Sequence, residues 1–375
     1  MAGIYIHIPF CRQACTYCNF HFSVSLKNKA AVITSLIKEI EIKNDFIDDE
    51  FIETVYVGGG TPSLLNEKDL QSIFNSLRKR YTIKADAEIT LEANPDDINK
   101  TTLEIWKRMG INRLSVGLQS FNEEELKWMN RAHNAEQSIQ CLDEIIEAGY
   151  SNYSVDLIYG SPLHTIEDLK KSLKIIAERN VPHVSCYALT VEPDTVLNKK
   201  INQKKTAPLD NEKQAEHFFL LLKIMESEGY EQYEISSFCK PGFKSKHNSS
   251  YWQGKPYFGF GPSAHSFNGF GKRRWNISNN NLYIQSLEKN IIPYEEEILT
   301  AAQRLNEYVM TTLRTTEGIN INYVVQHFGE ENKNRIILEA QKFINAGRLI
   351  LKEEKLSLTT EGKFFADGIA GDLFK

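Results

Sequence analysis

Cysteine is scarce in this chain, with six residues in 375, and so are tryptophan, with four, and methionine, with five. No apolar stretch approaches the roughly 18 residues needed to cross a bilayer, so no transmembrane segment is expected, and peripheral contact with a membrane stays open. The N-terminus carries no positive leader followed by a long apolar run. IYIHIPF is too short for a signal-peptide core and reads as a buried strand, which predicts a cytoplasmic protein. Net charge is -5 and no strongly basic stretch exists, so nucleic acid is not expected as the main partner, because phosphate binding needs a local cationic surface. The short clusters Lys240-Lys244-Lys246 and Lys272-Arg273-Arg274 read as solvated surface. An apolar content of 41% over this length permits one large domain plus a smaller one, or two to three domains.

The few cysteines are unevenly spent. Cys11, Cys15 and Cys18 form a C-x3-C-x2-C cluster, while Cys141, Cys186 and Cys239 are scattered and read as small buried hydrophobes. In a compartment that keeps thiols reduced, a cluster points to a metal or redox group rather than to disulfides. A disulfide cannot use three sulfurs. Structural zinc normally takes four ligands, often as two paired knuckles; no second C-x2-C exists, although His7 and His21 could each supply a nitrogen. An iron–sulfur cube is the other solution: three thiolates hold three irons and leave the fourth open to an exchangeable ligand. The residues alone favour the cube and leave zinc and incidental spacing as alternatives.

Short apolar runs alternate with amphipathic stretches. GIYIHI, FIETVYV, AEITLEA, NRLSVGL, YSVDLIY and HVSCYAL read as strands, the first five each followed by helical sequence. Such βα repeats predict an α/β fold, an open doubly wound sheet or a partial (β/α) barrel, with ligands at the C-terminal strand ends. The chemically distinctive residues fall there: the cysteines after the first strand, Gly58-Gly59-Gly60-Thr61-Pro62 after the second, Glu92 closing the third, Gln119 after the fourth and Asp156 in the fifth. Three successive glycines exceed what a tight turn needs and allow close approach of backbone to a ligand; no GK[ST] follows, so that ligand is not a phosphate. Buried carboxylates at Glu92 and Asp156 need partners, and an ion pair between Glu92 and Arg131 is one reading. Asn94-Pro95 reads as shaping the loop after Glu92. Beyond residue 190 the pattern changes. Asp210 caps a helix ending at Gly229, EQYEISSF reads as a strand, and 240–275, rich in Gly, Pro and aromatics, reads as a structured loop without regular elements. From 299 onward, helices and a hairpin (Arg348–Leu351 with Lys355–Leu358) predict a winged-helix-like tail. The expected divisions are 1–190, 191–298 and 299–375.

YIHIPFCRQACTYCNF resembles the opening of the radical S-adenosylmethionine (radical SAM) proteins, in particular the oxygen-independent coproporphyrinogen III oxidase-like branch, and the resemblance runs on through GGGTPS, LEANP, VGLQSF, NRAH, VDLIYG, HNSSYW, LRTTEGI and LTTEG. It implies a partial (β/α)6 radical-SAM barrel, an α+β extension and a small, mostly helical C-terminal domain. It also implies that Cys11, Cys15 and Cys18 bind a [4Fe–4S] cluster whose open iron is chelated by S-adenosylmethionine. In the family, an electron from the cluster cleaves the sulfonium to a 5'-deoxyadenosyl radical, the protein supplying binding and exclusion. Tyr5, Gly59, Gly60, Thr61, Glu92, Gln119, Arg131 and Asp156 are carried over as S-adenosylmethionine-side residues, with the glycine run toward the methionine amino group, Arg131 toward the carboxylate and Asp156 toward the ribose.

Two departures separate the chain from the oxidase proper: Phe20 stands where the oxidase has a fourth cysteine, and the YIHIPFC strand begins at once, without the oxidase's long extension. Both are similar to the haem chaperone subfamily. That likeness implies haem as a ligand, an acceptor protein that receives it, and an electron donor for the cluster; oxidative decarboxylation of coproporphyrinogen III to protoporphyrinogen IX is the alternative. The subfamily's HNxxYW motif, here His247-Asn248-Ser249-Ser250-Tyr251-Trp252, makes His247, Tyr251 and Trp252 the haem candidates, since imidazole ligates haem iron and aromatic rings cover a flat macrocycle. An ordinary loop with an aromatic anchor is the competing reading. His265 is a second candidate ligand, the glycines at 254, 259 and 261 would admit a flat ligand, and Lys272–Arg274 would meet propionates.

Overall fold

The computed structural model describes residues 2–42, 46–47 and 51–375. Its centre is a parallel sheet whose strands follow chain order: β1 (Ala2–Ile8), β2 (Phe51–Gly59), β3 (Thr82–Ala93), β4 (Arg113–Gln119), β5 (Tyr153–Tyr159) and β6 (His183–Ala188). Between them run α1 (Lys29–Glu41), α2 (Glu67–Arg80), α3 (Lys100–Arg108), α4 (Glu123–Trp128), α5 (Ala135–Glu147) and α6 (Ile166–Glu178). Four of these helices start where the sequence supplies a reciprocal cap: Asn66, Asn99, Asn134 and Thr165 each accept from the backbone three residues on, while the residue there returns a side-chain contact. Strand residues such as Ile4, Ile6, Val55, Val57, Leu91, Val116, Val155 and Val184 are sealed between sheet and helices, as expected for parallel strands covered on a face. This is the α/β architecture anticipated from the repeats, and of the two arrangements they allowed it is the partial barrel that the family resemblance implies.

The sheet does not stop at six strands. After α7 (Val196–Asn202) and α8 (Asn211–Ser227), the hairpin β7 (Glu231–Glu234) and β8 (Ser237–Cys239) adds antiparallel to β6. Then α9 (Lys246–Trp252) leads to β9 (Tyr257–Phe260), which pairs parallel to β1 at the opposite edge; β10 (His265–Phe267), β11 (Lys272–Asn276), α10 (Asn280–Glu288) and β12 (Tyr294–Ile298) complete a twelve-stranded sheet of order β12-β11-β10-β9-β1-β2-β3-β4-β5-β6-β8-β7. Two expectations are corrected. EQYEISSF is a hairpin, not one strand, and 240–275 is not an irregular loop but a helix and three strands. The glycines explain the second miss. Gly259 lies so close to the next strand that a Cβ would sit 1.9 Å from the His265 carbonyl oxygen, and Gly261, at φ +101°, packs on the His7 carbonyl. They serve chain-to-chain approach rather than entry of a flat ligand. Buried Glu39 ties this extension to the barrel, accepting from Gly261 N–H, Asn276 and Tyr283 at 2.8, 2.6 and 2.5 Å.

The tail holds α11 (Ala301–Leu313), β13 (Ile319–Asn320), α12 (Ile321–Phe328), α13 (Glu330–Asn345), the hairpin β14 (Leu349–Lys352) and β15 (Lys355–Leu358), α14 (Thr360–Lys363) and α15 (Ala366–Asp372). It has its own apolar cluster, including Leu305, Val309, Leu313, Ile336, Leu356 and Leu373. It is docked on the β7–β8 edge by backbone bonds from Ile235 N–H to Arg314 O (3.0 Å) and from Thr316 N–H to Tyr233 O (3.2 Å). Phe364 packs against Phe218 and Phe219 of α8. No helix among the described residues is long and apolar enough to cross a membrane.

Gly259→Ala is expected to lower stability by more than about 2 kcal/mol, because the obstructing atom is backbone. Gly254→Ala meets open space at φ +64° and is expected to cost only about 1–2 kcal/mol. Urea unfolding of both variants checks the order.

Candidate functional site

At the C-terminal ends of β1–β6 lies a cavity of about 1040 Å³. One wall is the cysteine loop, whose three free thiols are partly exposed there. The loop is held by main-chain bonds at both ends: Cys11 N–H donates to Ser23 O (3.1 Å) and Ser23 N–H to Pro9 O (2.9 Å). Across the middle, Thr16 N–H donates to Met129 O (2.9 Å), while Asn130, in the left-handed region at φ 58°, donates to Ala14 O (2.7 Å) and accepts from Gln13 (2.8 Å). Among the described residues no three His, Cys, Asp or Glu side chains are gathered for a single metal ion. Thiolates on three irons of one cube stand farther apart than ligands of one ion, so this finding does not bear against a cluster. Burial raises the Cys11 thiol and pushes Cys18 up to about 11, so assembling a thiolate-bound group there releases protons.

The glycine run forms the adjoining wall, and each position is there for lack of room. A Cβ on Gly58 would lie 2.9 Å from the Glu92 carboxyl, one on Gly59 (φ +109°) 2.6 Å from the His7 ring, and one on Gly60 2.5 Å from Phe10 O. Gly60 and Thr61 N–H groups donate to Ile8 O (2.8 Å) and Phe10 O (2.7 Å), fastening this turn to the cysteine loop. Glu92 accepts from Tyr56 O–H (2.7 Å) and from Gly59 N–H (3.0 Å). Burial raises its pKa to about 7 against those two donors, and the Asp156 charge adds to the rise. Asp156 accepts from Ser115 O–H (3.3 Å) and is raised to about 6, again chiefly by burial. Arg131 donates to Cys15 Sγ (3.3 Å), Asn94 Oδ1 (2.9 Å) and Gly117 O (2.7 Å), and its buried Nε has no partner among the described residues. It does not pair with Glu92. Gln119 reaches the cavity in the left-handed region, at φ 67°, where the β4–β5 register shifts. Asn94 lines the cavity and Pro95 opens a short 3-10 turn after it.

The structure therefore brings Cys11, Cys15, Cys18, Gly59, Gly60, Thr61, Glu92, Gln119, Arg131 and Asp156 to one cavity. Tyr5 is not on its wall; the hydroxyl bonds His7 Nδ1 (3.0 Å) and the ring stacks toward Tyr56 at 6.1 Å. The HNxxYW residues are placed differently from expectation. They form α9, capped by Ser245, which turns His247 inward. His247 is 1% exposed, bonded through Nδ1 to Thr54 Oγ1 (2.8 Å) and through Nε2 to the Tyr251 hydroxyl (2.9 Å), and stacked on Tyr56 at 4.9 Å. Burial lowers its pKa to about 3, keeping the ring neutral. Both ring nitrogens are thus spent, and of the motif only Asn248 reaches the cavity. Trp252 lies under Arg314 at 5.6 Å. His265 stands opposite Trp275 in the β10–β11 pair, away from the cavity wall. Lys272, Arg273 and Arg274 pair with Glu296, Glu297 and Glu307 instead of facing it. Sequence reasoning missed Tyr56, Ser115 and the outer wall, which is supplied by Phe343, Arg348, Lys363, Phe364 and Phe365 of the tail. No local motif marks that wall beyond two adjacent phenylalanines beside a lysine.

Comparison with known proteins fits this geometry. Residues 5–203 match the Radical SAM superfamily and residues 299–365 the HemN C-terminal domain. The chain is 30% identical to the heme chaperone HemW of Bacillus subtilis (strain 168) over 374 residues, covering 99% of this chain and 98% of that protein. It is 31% identical to the heme chaperone HemW of Mycobacterium tuberculosis (strain H37Rv) over 376 residues, covering 99% and 94%. The solved structure of coproporphyrinogen III oxidase (HemN) from Escherichia coli, a radical SAM enzyme, matches with a TM-score of 0.85 and 23% identity over 100% of this chain and 90% of that one, a likeness of fold.

Glu92 has a folded-state pKa above its unfolded value of 4.5, so the fold prefers the protonated acid. That contribution is complete below about pH 4.5 and is lost as pH rises through about 7. Because the carboxyl also faces the cavity, where water offsets part of the penalty, the loss is at most about 3 kcal/mol. The Glu92 contribution is therefore expected to weaken the ligand-free fold progressively between pH 4.5 and pH 7, so that Glu92→Gln gains stability relative to wild type across that window, as read from the difference between the two proteins' urea midpoints at each pH.

Proposed function

The chain belongs to the radical SAM superfamily, in the family of the heme chaperone HemW proteins, and from that premise we propose that it binds haem and hands it to an acceptor protein on a scaffold that holds a [4Fe–4S] cluster and S-adenosylmethionine. The observation that carries this reading is the convergence of three free thiols with the glycine turn, Glu92, Arg131 and Asp156 on one large cavity, in a chain that matches haem chaperones along its whole length.

The residues present fit both groups. Three partly exposed thiols and no fourth cysteine in the loop suit a cube with one iron free for a ligand. Bound there, the cluster supplies an electron and a vacant coordination position. Cys11, Cys15 and Cys18 would hold it, with the Arg131 guanidinium beside Cys15 offsetting thiolate charge and offering its unpartnered Nε toward a carboxylate. Glu92 and Asp156, raised while the cavity is empty, would ionise against the amino group and sulfonium of S-adenosylmethionine and accept from its ribose hydroxyls. Gly59, Gly60 and Thr61 would let the methionine end lie against the turn, and Gln119 would orient it. In this reading His247 and Tyr251 brace Tyr56, and through it Glu92, rather than ligating haem iron. We divide the chain accordingly into a cofactor barrel (1–190), an extension that closes both sheet edges (191–298) and a docked tail (299–375). The working setting is the cytoplasm, with an electron donor that reduces the cluster.

Phe20, 68% exposed on the cavity wall, favours this reading over porphyrinogen oxidation, because the oxidase carries a cysteine at that place. Anaerobically reconstituted protein is expected to bind haem and to leave coproporphyrinogen III unchanged. Its conversion to protoporphyrinogen IX would overturn the assignment. In Cys15→Ala, iron and sulfide are expected to be lost, and colourless wild-type protein containing zinc would remove the cluster from the scheme. His247→Ala is expected to cost about 2–4 kcal/mol of stability through lost packing and two stranded hydroxyls. If haem affinity falls while the unfolding midpoint stays in place, His247 meets haem after all.

A further inference from the structure

The cavity has two unlike halves. The inner half carries the thiols, the carboxylates and Arg131. The outer half is apolar and cationic, and most of it comes from the tail: Phe343, Phe364, Phe365, Arg348 and Lys363, with Phe218 of α8 beside them. At about 1040 Å³ the whole exceeds the roughly 300–1,000 Å³ usual for one small ligand, which suits two occupants side by side.

The charges in the outer half are unbalanced. Asp367 and Asp372 line it, but Asp367 is held by Arg314 (2.6 Å) and Asp372 by Lys342 (2.7 Å). Arg348, half-buried with its guanidinium 4.0 Å from the Phe365 ring centre, has no acid partner among the described residues. Lys363, also half-buried, donates to the neutral Gln232 Oε1 (2.6 Å) and makes no ion pair among the described residues, Glu226 acting on it only through space. Half-buried cations beside aromatic rings carry a desolvation cost that an anionic ligand relieves. Two such cations flanking two adjacent phenylalanines match a flat apolar body with two carboxylates. They do not match a zwitterionic nucleoside, for which the inner half is equipped.

We propose that this outer half is the haem seat, with the macrocycle against the Phe364–Phe365 pair, whose rings stand at 88° to each other so that one meets its face and the other its edge, and with its two carboxylates on Arg348 and Lys363. The proposal rests on the haem-chaperone reading and moves the contact from the HNxxYW helix and from Lys272–Arg274, whose side chains are committed elsewhere, to the tail. It also gives the tail a role: without it the seat has no outer wall.

The test uses full-length protein with its cluster reconstituted anaerobically, titrated by absorbance with haem and with haem dimethyl ester, whose carboxylates are capped. Iron and sulfide content is checked for each protein. Arg348→Gln and Lys363→Gln are each expected to weaken haem binding roughly tenfold and the double variant more, with cluster content unchanged. The ester is expected to bind wild type about as weakly as haem binds the double variant, and the double variant is expected not to distinguish haem from ester. Lys272→Gln serves as the control and is expected to bind haem like wild type. Equal haem affinity in wild type and double variant, or equal affinity of wild type for haem and ester, overturns the seat while leaving the chaperone reading standing. Wild type that binds no haem overturns that reading first and the seat with it.

Discussion

The site depends on one close approach, that of the glycine turn after β2 to the cysteine loop after β1. Gly60 and Thr61 bond the carbonyls of Ile8 and Phe10, and none of Gly58, Gly59 or Gly60 has room for a Cβ. Glycine here is a steric requirement as well as a conformational one, since only Gly59 of the three needs positive φ. The same contact brings Glu92 to the backbone N–H of Gly59, so thiols, turn and carboxylate are placed by a single packing event between two neighbouring parallel strands.

Charge in the inner half is arranged for a ligand rather than for the empty fold. Glu92 and Asp156 are held up in pKa by burial, and Arg131 spends its donors on a thiol, an amide and a carbonyl instead of a carboxylate. An ion pair between Glu92 and Arg131 would have satisfied both groups internally. Their separation leaves an acid and a base each available to the opposite charge of an incoming zwitterion.

Much of this was legible in the sequence, for a physical reason. In a parallel βα repeat, position in the unit decides position in space, so residues at strand ends fall around one mouth whatever their distance along the chain. That is why Glu92, Gln119 and Asp156 could be placed beside the cysteines. Where no such rule applies, reading fails. KHNSSYW is a seven-residue helix of weak helix formers, made possible by the Ser245 cap and by packing of His247 between Thr54 and Tyr56, neither visible locally. Tyr5 is carried over from the resembled family as a cofactor-side residue, yet its place is set by the interior partners His7 and Tyr56. The outer wall was illegible for a similar reason: Arg348 and Lys363 meet the barrel through a docking that depends on surfaces rather than on repeats.

The pairing of β9 with β1 bears on how the chain is made. β1 leaves the ribosome before the other strands of its sheet, yet one of its two neighbours is Tyr257–Phe260, so that edge stays unsealed until the five further parallel strands and the β7–β8 hairpin have been synthesised. Biogenesis of the metallocofactor is thereby ordered in time: the thiols are translated well before Tyr257–Phe260, the strand that presents them is clamped on both sides only once that segment has emerged, and loading before then would have to hold on a half-built edge.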